Sequence, residues 1–234
     1  MIGTNFNKIS FGSAKNPVKP FVINTDKGQL FVKETNVKNI DESETKLLTK
    51  FFADNFIDNT NDPLLLQYKN KNTLGYIGYL LTLFNYYTKI FQKDDGHTTL
   101  LEAKDENGKL CGAVLTNTFD EEPLYDDKIC FLNALVVDKE YRKNNVGKIL
   151  MDKAINCSKE IYDDIFVSAE ALAQNFYIKQ GYRHLDYDNP FEKYVIEEMN
   201  INDDYPEYIK YMTKKIKKND ENGFIRLYDK QKIN

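Results

Sequence analysis

The spacing of apolar residues along the 234-residue chain changes period several times, and each change marks an element. Around Thr25-Asp26-Lys27-Gly28 the apolar positions alternate, which predicts two short strands joined by a turn within residues 20–34. Asp41 and Glu44 then stand at capping-box spacing ahead of Leu47, Leu48, Phe51, Phe52 and Phe56, so an amphipathic helix follows. Asp62 before Pro63 signals another helix start. From there Leu74, Ile77, Gly78, Leu81 and Phe84 continue at helical spacing, with Tyr76, Tyr79, Leu80, Leu83 and Tyr87 on the opposite face. A helix apolar nearly all round is buried or receives a partner.

Further along, residues 98–118 read as a hairpin turning at Glu106-Asn107-Gly108-Lys109. The run "KICFLNALVVD" is nearly continuous in apolar residues, as expected of a strand covered on both faces. A helix with the stripe Val146, Ile149, Leu150, Ala154 and Cys157 follows, then the buried strand "DDIFVSAE". A short helix from Ala171 to Gln180 stops at Gly181, where a left-handed cap fits. "YRHLDY", an Asp-Asn-Pro turn and "EKYVIEEMNI" predict a last hairpin. In the tail, Ile209, Met212 and Ile216 fall on one helical face, and "GFIRLYD" could add a strand. This order predicts a mixed α/β (α+β) fold with at least one right-handed strand-helix-strand crossover.

Composition narrows the class. An apolar fraction of 41% and a charged fraction of 29% suit a soluble globular protein. The formal charge of −4 argues against general binding to nucleic acid or anionic membranes. The uncharged run Asn72–Thr88 contains Thr, Asn, Gly and Tyr, and so falls short of the ~20 predominantly apolar residues a membrane span needs. Cys111, Cys130 and Cys157 are odd in number and lack CxxC spacing, which with the absence of a secretory pattern at the start leads to the expectation of a reducing cytoplasm. His97 and His184 stand alone, so no metal site is expected.

One stretch reverses an ordinary preference. In "VVDKEYRKNNVGKIL" a strand ending passes through a turn into a helix, and the join carries Arg142, Lys143 and Lys148 where a helix start usually favours Asp or Glu. Converging amide hydrogens and the helix dipole form an anion site there. Asn144 and Asn145 tolerate positive φ, and Gly147 admits close approach to the backbone. Phosphate is the natural candidate. A Walker A loop is excluded because Gly147-Lys148 is followed by Ile149 and Arg142 stands where its first Gly belongs, and GxGxxG is absent.

Arg142, Asn145 and Gly147 after a buried strand, then Phe176-Tyr177 and Gly181-Tyr182 in "NFYIKQGY", resemble the signature elements of the GNAT superfamily of acyl-CoA-dependent N-acyltransferases. The resemblance covers roughly residues 30–200 and implies a central, mixed but mostly antiparallel sheet flanked by helices. Residues 1–29 would then be an N-terminal extension and residues 201–234 a helical C-terminal one. It implies acetyl-CoA as co-substrate, its diphosphate held by Arg142, Lys143, Asn144, Asn145, Val146, Gly147 and Lys148, and its thioester arm by the backbone of Leu135, Val136 and Val137. Tyr177 would protonate the departing thiolate. The chain has Asn133 and Ala134 where relatives often carry a Glu base, which leaves Glu170 as the nearest carboxylate, with Glu102 and His184 behind it.

The expected activity is direct acetyl transfer to a primary amine of a small molecule or protein, with no metal, no nucleic acid and no membrane. Two alternatives stand beside it: a catalytically weak acyl-CoA-binding regulator of the same fold, and an interaction module using the aromatic 72–91 helix. The same tyrosine-rich helix could line an amine cleft, cover a peptide or form a homodimer face.

Overall fold

The computed structural model describes residues 17–92, 98–118, 129–158, 164–186, 188–189, 192–193 and 209–215. Strands β1 (Phe21–Thr25) and β2 (Gly28–Thr35) form the first hairpin, in which Gly28 takes a φ of 116° that an L side chain rarely adopts. Helix α1 (Glu42–Asn59) starts at Asp41, whose carboxylate accepts the Glu44 amide hydrogen at 2.8 Å. Beyond Asp62 the chain makes a short α2 (Pro63–Leu66), turns, and begins again as α3 (Leu74–Gln92). Then follow β3 (Thr99–Lys104), β4 (Leu110–Thr118), β5 (Ile129–Val137), α4 (Val146–Ser158), β6 (Asp164–Glu170), α5 (Ala171–Lys179), β7 (Arg183–His184) and β8 (Ile209–Lys215).

The strands make one sheet in the order β1-β2-β3-β4-β5-β6-β8-β7. Every pairing is antiparallel except β5 with β6, which α4 connects. The mixed, mostly antiparallel sheet flanked by helices is therefore present. On one face, Leu30, Val32, Leu101 and Val114 pack with Val146, Leu150 and Met151 of α4 and Tyr177 of α5. On the other, Leu100, Ala113, Leu115 and Val136 pack with Leu48 and Phe52 of α1 and Tyr87 and Ile90 of α3. Strands β3, β4 and β5 thus supply both layers.

Strand β5 breaks its own alternation. The register with β4 runs Leu115 to Ala134 and then Thr116 to Leu132, so Asn133 is an extra, unpaired residue. Cys130 and Leu132 face the α4 layer, whereas Ala134 and Val136 face the α1 and α3 layer. Beyond the bulge, β5 also leaves β6: their parallel pairing ends at Leu132 with Val167, although both strands continue. Two neighbouring strands that part in mid-sheet leave a gap.

The two apolar faces of α3 part company: Leu74, Ile77 and Leu81 are exposed, whereas Tyr76 and Tyr87 are buried and Leu83 packs against the core. Two sequence expectations need correction. The segment containing Ile209 and Met212 is a strand rather than a helix. Within it Lys214 donates to the Gln180 carbonyl (2.7 Å) and sits over the Tyr182 ring, so a lysine holds an inner strand position by contacts that the local spacing does not show. That strand pairs with both β6 and β7, so the partner of "YRH" is β8. Glu192 and Lys193 lie in a helical turn, and residues 194–201, read above as the last hairpin strand, lie outside the described residues, as does "GFIRLYD".

Candidate active site

A cleft of about 900 Å³ opens where β5 and β6 part. Its floor is Leu135–Val137 and Val167–Glu170, one end is the loop into α4, and the far wall is Tyr79, Leu83 and Tyr86 of α3 with Phe56 of α1.

The loop owes its shape to two residues in the left-handed region, Lys143 (φ 67°) and Asn145 (φ 60°). Asparagine tolerates that conformation better than most residues, and lysine less so. The first bond of α4 runs from the Ile149 amide to the Asn145 carbonyl at 2.9 Å. The amide hydrogens of Val146, Gly147 and Lys148 precede it and have no partner within the helix. At Gly147 an added Cβ would meet Val137 Cγ2 at 3.5 Å and Phe176 Cζ at 3.8 Å. The missing side chain leaves a cradle between the strand end and α5, which fits an elongated ligand whose anionic portion rests on the helix start.

The cations divide their work. Arg142 donates from Nε to the Val137 carbonyl (2.9 Å) and from its terminal nitrogens to Asn55 Oδ1 (3.1 Å) and Asn59 Oδ1, tying the loop to β5 and the end of α1 while lining the cleft. Burial lowers its pKa from the usual guanidinium value. Lys148 pairs with Asp152 at 2.5 Å, and Lys143 is exposed. Asn144 turns away from the cleft: its amide donates to Asp26 Oδ1 (2.9 Å) and its Oδ1 accepts the Asp26 amide hydrogen (3.3 Å), clasping the loop to the β1–β2 turn.

At the other end Tyr177 is buried against Phe176 and Tyr182, with ring centroids 5.2 and 5.4 Å away. Burial first, and then the nearby Glu170 charge, push its phenol well above the ordinary value, so it stays protonated across the physiological range. Glu170 stands at the N-cap of α5, makes no side-chain capping bond, and lies close to Thr60. Burial raises its pKa, Thr60 opposes the rise, and the buried Asp62 adds to it. Tyr79, pushed up by burial, also feels the Glu170 charge.

Leu135, Val136, Val137, Arg142, Lys143, Asn145, Val146, Gly147, Lys148, Glu170 and Tyr177 are thus gathered on one cleft, and Asn144 supports it from behind. The second-rank bases are elsewhere. Glu102 is buried beside Thr35 and Lys104 (3.2 Å) and lines a separate depression, while His184 is exposed on β7. Sequence reasoning missed Asn55, Asn59 and Asp26. The i, i+4 amide pair on α1 was a visible signal with no visible partner, and the Asp26–Asn144 contact spans 118 positions. The bulged Asn133 also acquires a network: it accepts from the Tyr86 hydroxyl (2.7 Å) and donates to Asn117. Among the described residues, no three His, Cys, Asp or Glu side chains converge as a metal-binding group, and no helix is long and apolar enough to cross a membrane.

A splayed strand pair with an amide-lined loop between them is an elongated, anion-tolerant cleft, and comparison with known proteins bears on its use. Residues 95–184 match the acetyltransferase (GNAT) domain family model. Among solved structures, an acetyltransferase of the GNAT family from Staphylococcus aureus Mu50 is similar over 80% of this chain and 99% of its own, at 17% identity and a TM-score of 0.52. A Corynebacterium glutamicum structure described as histone acetyltransferase HPA2 and related acetyltransferase is similar over 78% and 94%, at 16% identity and a TM-score of 0.50. At such identities the likeness speaks for the fold. A search of curated proteins found no match.

Proposed function

We propose that this cleft binds acetyl-CoA and passes its acetyl group directly to a primary amine. The observation that carries the reading is the cleft's continuity, from the free amides at the α4 start, past the Gly147 cradle, to Tyr177 and Glu170. The amides of Val146, Gly147 and Lys148, helped by Lys143 and Lys148, would hold the diphosphate. Backbone groups of Leu135–Val137, released from pairing with β6, would hold the pantetheine arm.

The chemistry asks three things of the residues at the inner end. The amine must arrive neutral, and Glu170, whose buried carboxylate has a raised pKa, takes its proton directly or through water. The amine nitrogen then forms a bond to the thioester carbon, and the C–S bond breaks. Tyr177, held protonated by burial, gives its proton to the thiolate and regains one from solvent or from the ammonium. Asn133 leaves no carboxylate at the bulge, and its amide orients Tyr86 on the acceptor side.

The test is release of free thiol from acetyl-CoA in the presence of a panel of small amines and peptide N-termini. Amine-dependent release that is lost in Gly147→Val supports the reading. Tight coenzyme binding with no release by any amine supports the binding-only alternative.

A further inference from the structure

The cleft between β5 and β6 differs in chemistry at its two ends. Its lining cations are Arg142, Lys143 and Lys148 at the loop into α4, and Lys179 on α5. Glu170 stands at the opposite end of α5 from Lys179, about 13 Å of helix away. Among the described residues the groups that act on its carboxyl are Thr60 and Asp62, and neither is a cation. The other lining carboxylate, Asp58, pairs with Lys71 at 3.4 Å. A half-buried carboxylate with a second acid nearby and no cation beside it is a seat for one positive charge from outside the chain.

Around that seat the wall is apolar and held in place. Tyr79 and Tyr177 both feel the Glu170 charge, so the carboxylate lies near the inner tyrosine and near the α3 wall. The Tyr79 ring stacks on that of Tyr68, with 5.1 Å between centroids and 9° between planes. Gly75 makes the stack possible, because a Cβ there would press on the Tyr68 ring at 3.2 Å. That use accounts for a glycine inside a helix, where it otherwise weakens the element. Leu83 and Phe56 continue the wall. The Tyr86 hydroxyl already donates to Asn133 at 2.7 Å, so what Tyr86 adds to the cleft is chiefly its ring.

One charge seat beside an apolar wall chooses between amines. A polyamine brings a second ammonium onto that wall, and an amino sugar brings several hydroxyls. Neither finds a partner there, so each loses hydration without compensation. A single ammonium on an apolar body matches both parts of the site. Its charge goes to Glu170, and its body lies against Tyr79, Leu83, Tyr86 and Phe56, whose ring faces also favour a nearby cation.

We infer that the acceptor is a small primary monoamine whose nitrogen is carried on an aromatic or branched apolar body, with Glu170 selecting the charge and Tyr79 the body. The inference rests on the acetyl-transfer reading for the use of this end as the acceptor side, and it narrows the class of amine which that reading leaves open.

The test is isothermal titration of the full chain at neutral pH, saturated with coenzyme A so that no turnover occurs. The probes are phenethylamine, ethylamine, spermidine and the uncharged phenethyl alcohol. Phenethylamine should bind tighter than ethylamine or spermidine by about 10-fold or more, through the apolar area that its ring buries. Glu170→Gln should lose about 10-fold or more in affinity for phenethylamine and keep its affinity for phenethyl alcohol. Tyr79→Ala, with circular dichroism to verify folding, should narrow the gap between phenethylamine and ethylamine. Spermidine or ethylamine binding as tightly as phenethylamine overturns the inference, and so does a phenethylamine affinity that Glu170→Gln leaves unchanged. Binding of none of the amines overturns it too. If coenzyme A does not bind but titration without it keeps the amine order, the acetyl-transfer reading falls and the amine seat is supported.

Discussion

Tyr177 and Glu170 carry opposite demands in one environment. Burial raises both pKa values, which keeps the phenol as a proton donor and makes the carboxylate a better proton acceptor than it would be in water. Tyr177→Phe should therefore lower kcat by about 10²-fold, within the usual range for a general acid, and leave acetyl-CoA affinity nearly unchanged; steady-state kinetics beside a binding titration separates the two. For Glu170 the pH dependence is the sharper readout. The wild-type rate should fall on the acid side as the carboxyl is protonated, with a midpoint above 4.5, and Glu170→Gln should lose that limb. Stability follows the same group with a definite sign. A carboxyl whose folded pKa is raised binds a proton more readily in the folded than the unfolded state, so stability falls as pH rises from the unfolded value through the folded one. Glu170→Gln should thus unfold at a higher temperature than wild type at neutral pH, and the advantage should disappear in acid below the unfolded pKa. Equal melting at both pH values would mean that the carboxylate is not held at a cost.

The loop into α4 is an element whose conformation is set from three sides. Arg142 fixes it to Val137 and to α1, Asn144 fixes it to the β1–β2 turn, and Asn145 provides the left-handed step into the helix. Removing the clasp by Asp26→Ala should raise KM for acetyl-CoA a few-fold with kcat intact, and Asp26→Asn, which keeps an oxygen acceptor for Asn144, should restore much of it. Arg142→Ala leaves Asn55, Asn59 and the Val137 carbonyl without their shared donor and should destabilise the fold by about 1–3 kcal/mol in denaturant unfolding. The loop's position between strand and helix, and its fitness for an anion, were legible because local spacing determines them. The helix starts at Asp41, the first hairpin and the stop at Gly181 were legible for the same reason: each is a turn or a cap written within a few residues. What was hidden depends on distant chain. The bulge at Asn133 needs the register with β4, the strand at Ile209–Lys215 needs a place between β6 and β7, and the inward face of α3 needs the sheet it covers. A tail residue such as Lys214 looks solvated until the C-terminal end of α5 is brought beside it.

Taken whole, the molecule is a sheet that parts along one seam, with helices on both faces closing the ends of the gap. Binding energy for a ligand in that seam must appear as folded-state stability, because the unfolded chain has no cleft to offer. Thermal unfolding of the full chain should be followed with about 1 mM acetyl-CoA, without magnesium, and with ATP at the same concentration as an anion control. If the ligand is present at ~100 times its Kd, the gain is about 2.7 kcal/mol, which for a chain of this size corresponds to roughly 5–10 °C. The account predicts that shift with acetyl-CoA, little with ATP, and none with either in Gly147→Val. Equal shifts with acetyl-CoA and ATP, or none with acetyl-CoA at any concentration, would contradict a coenzyme site between β5 and β6.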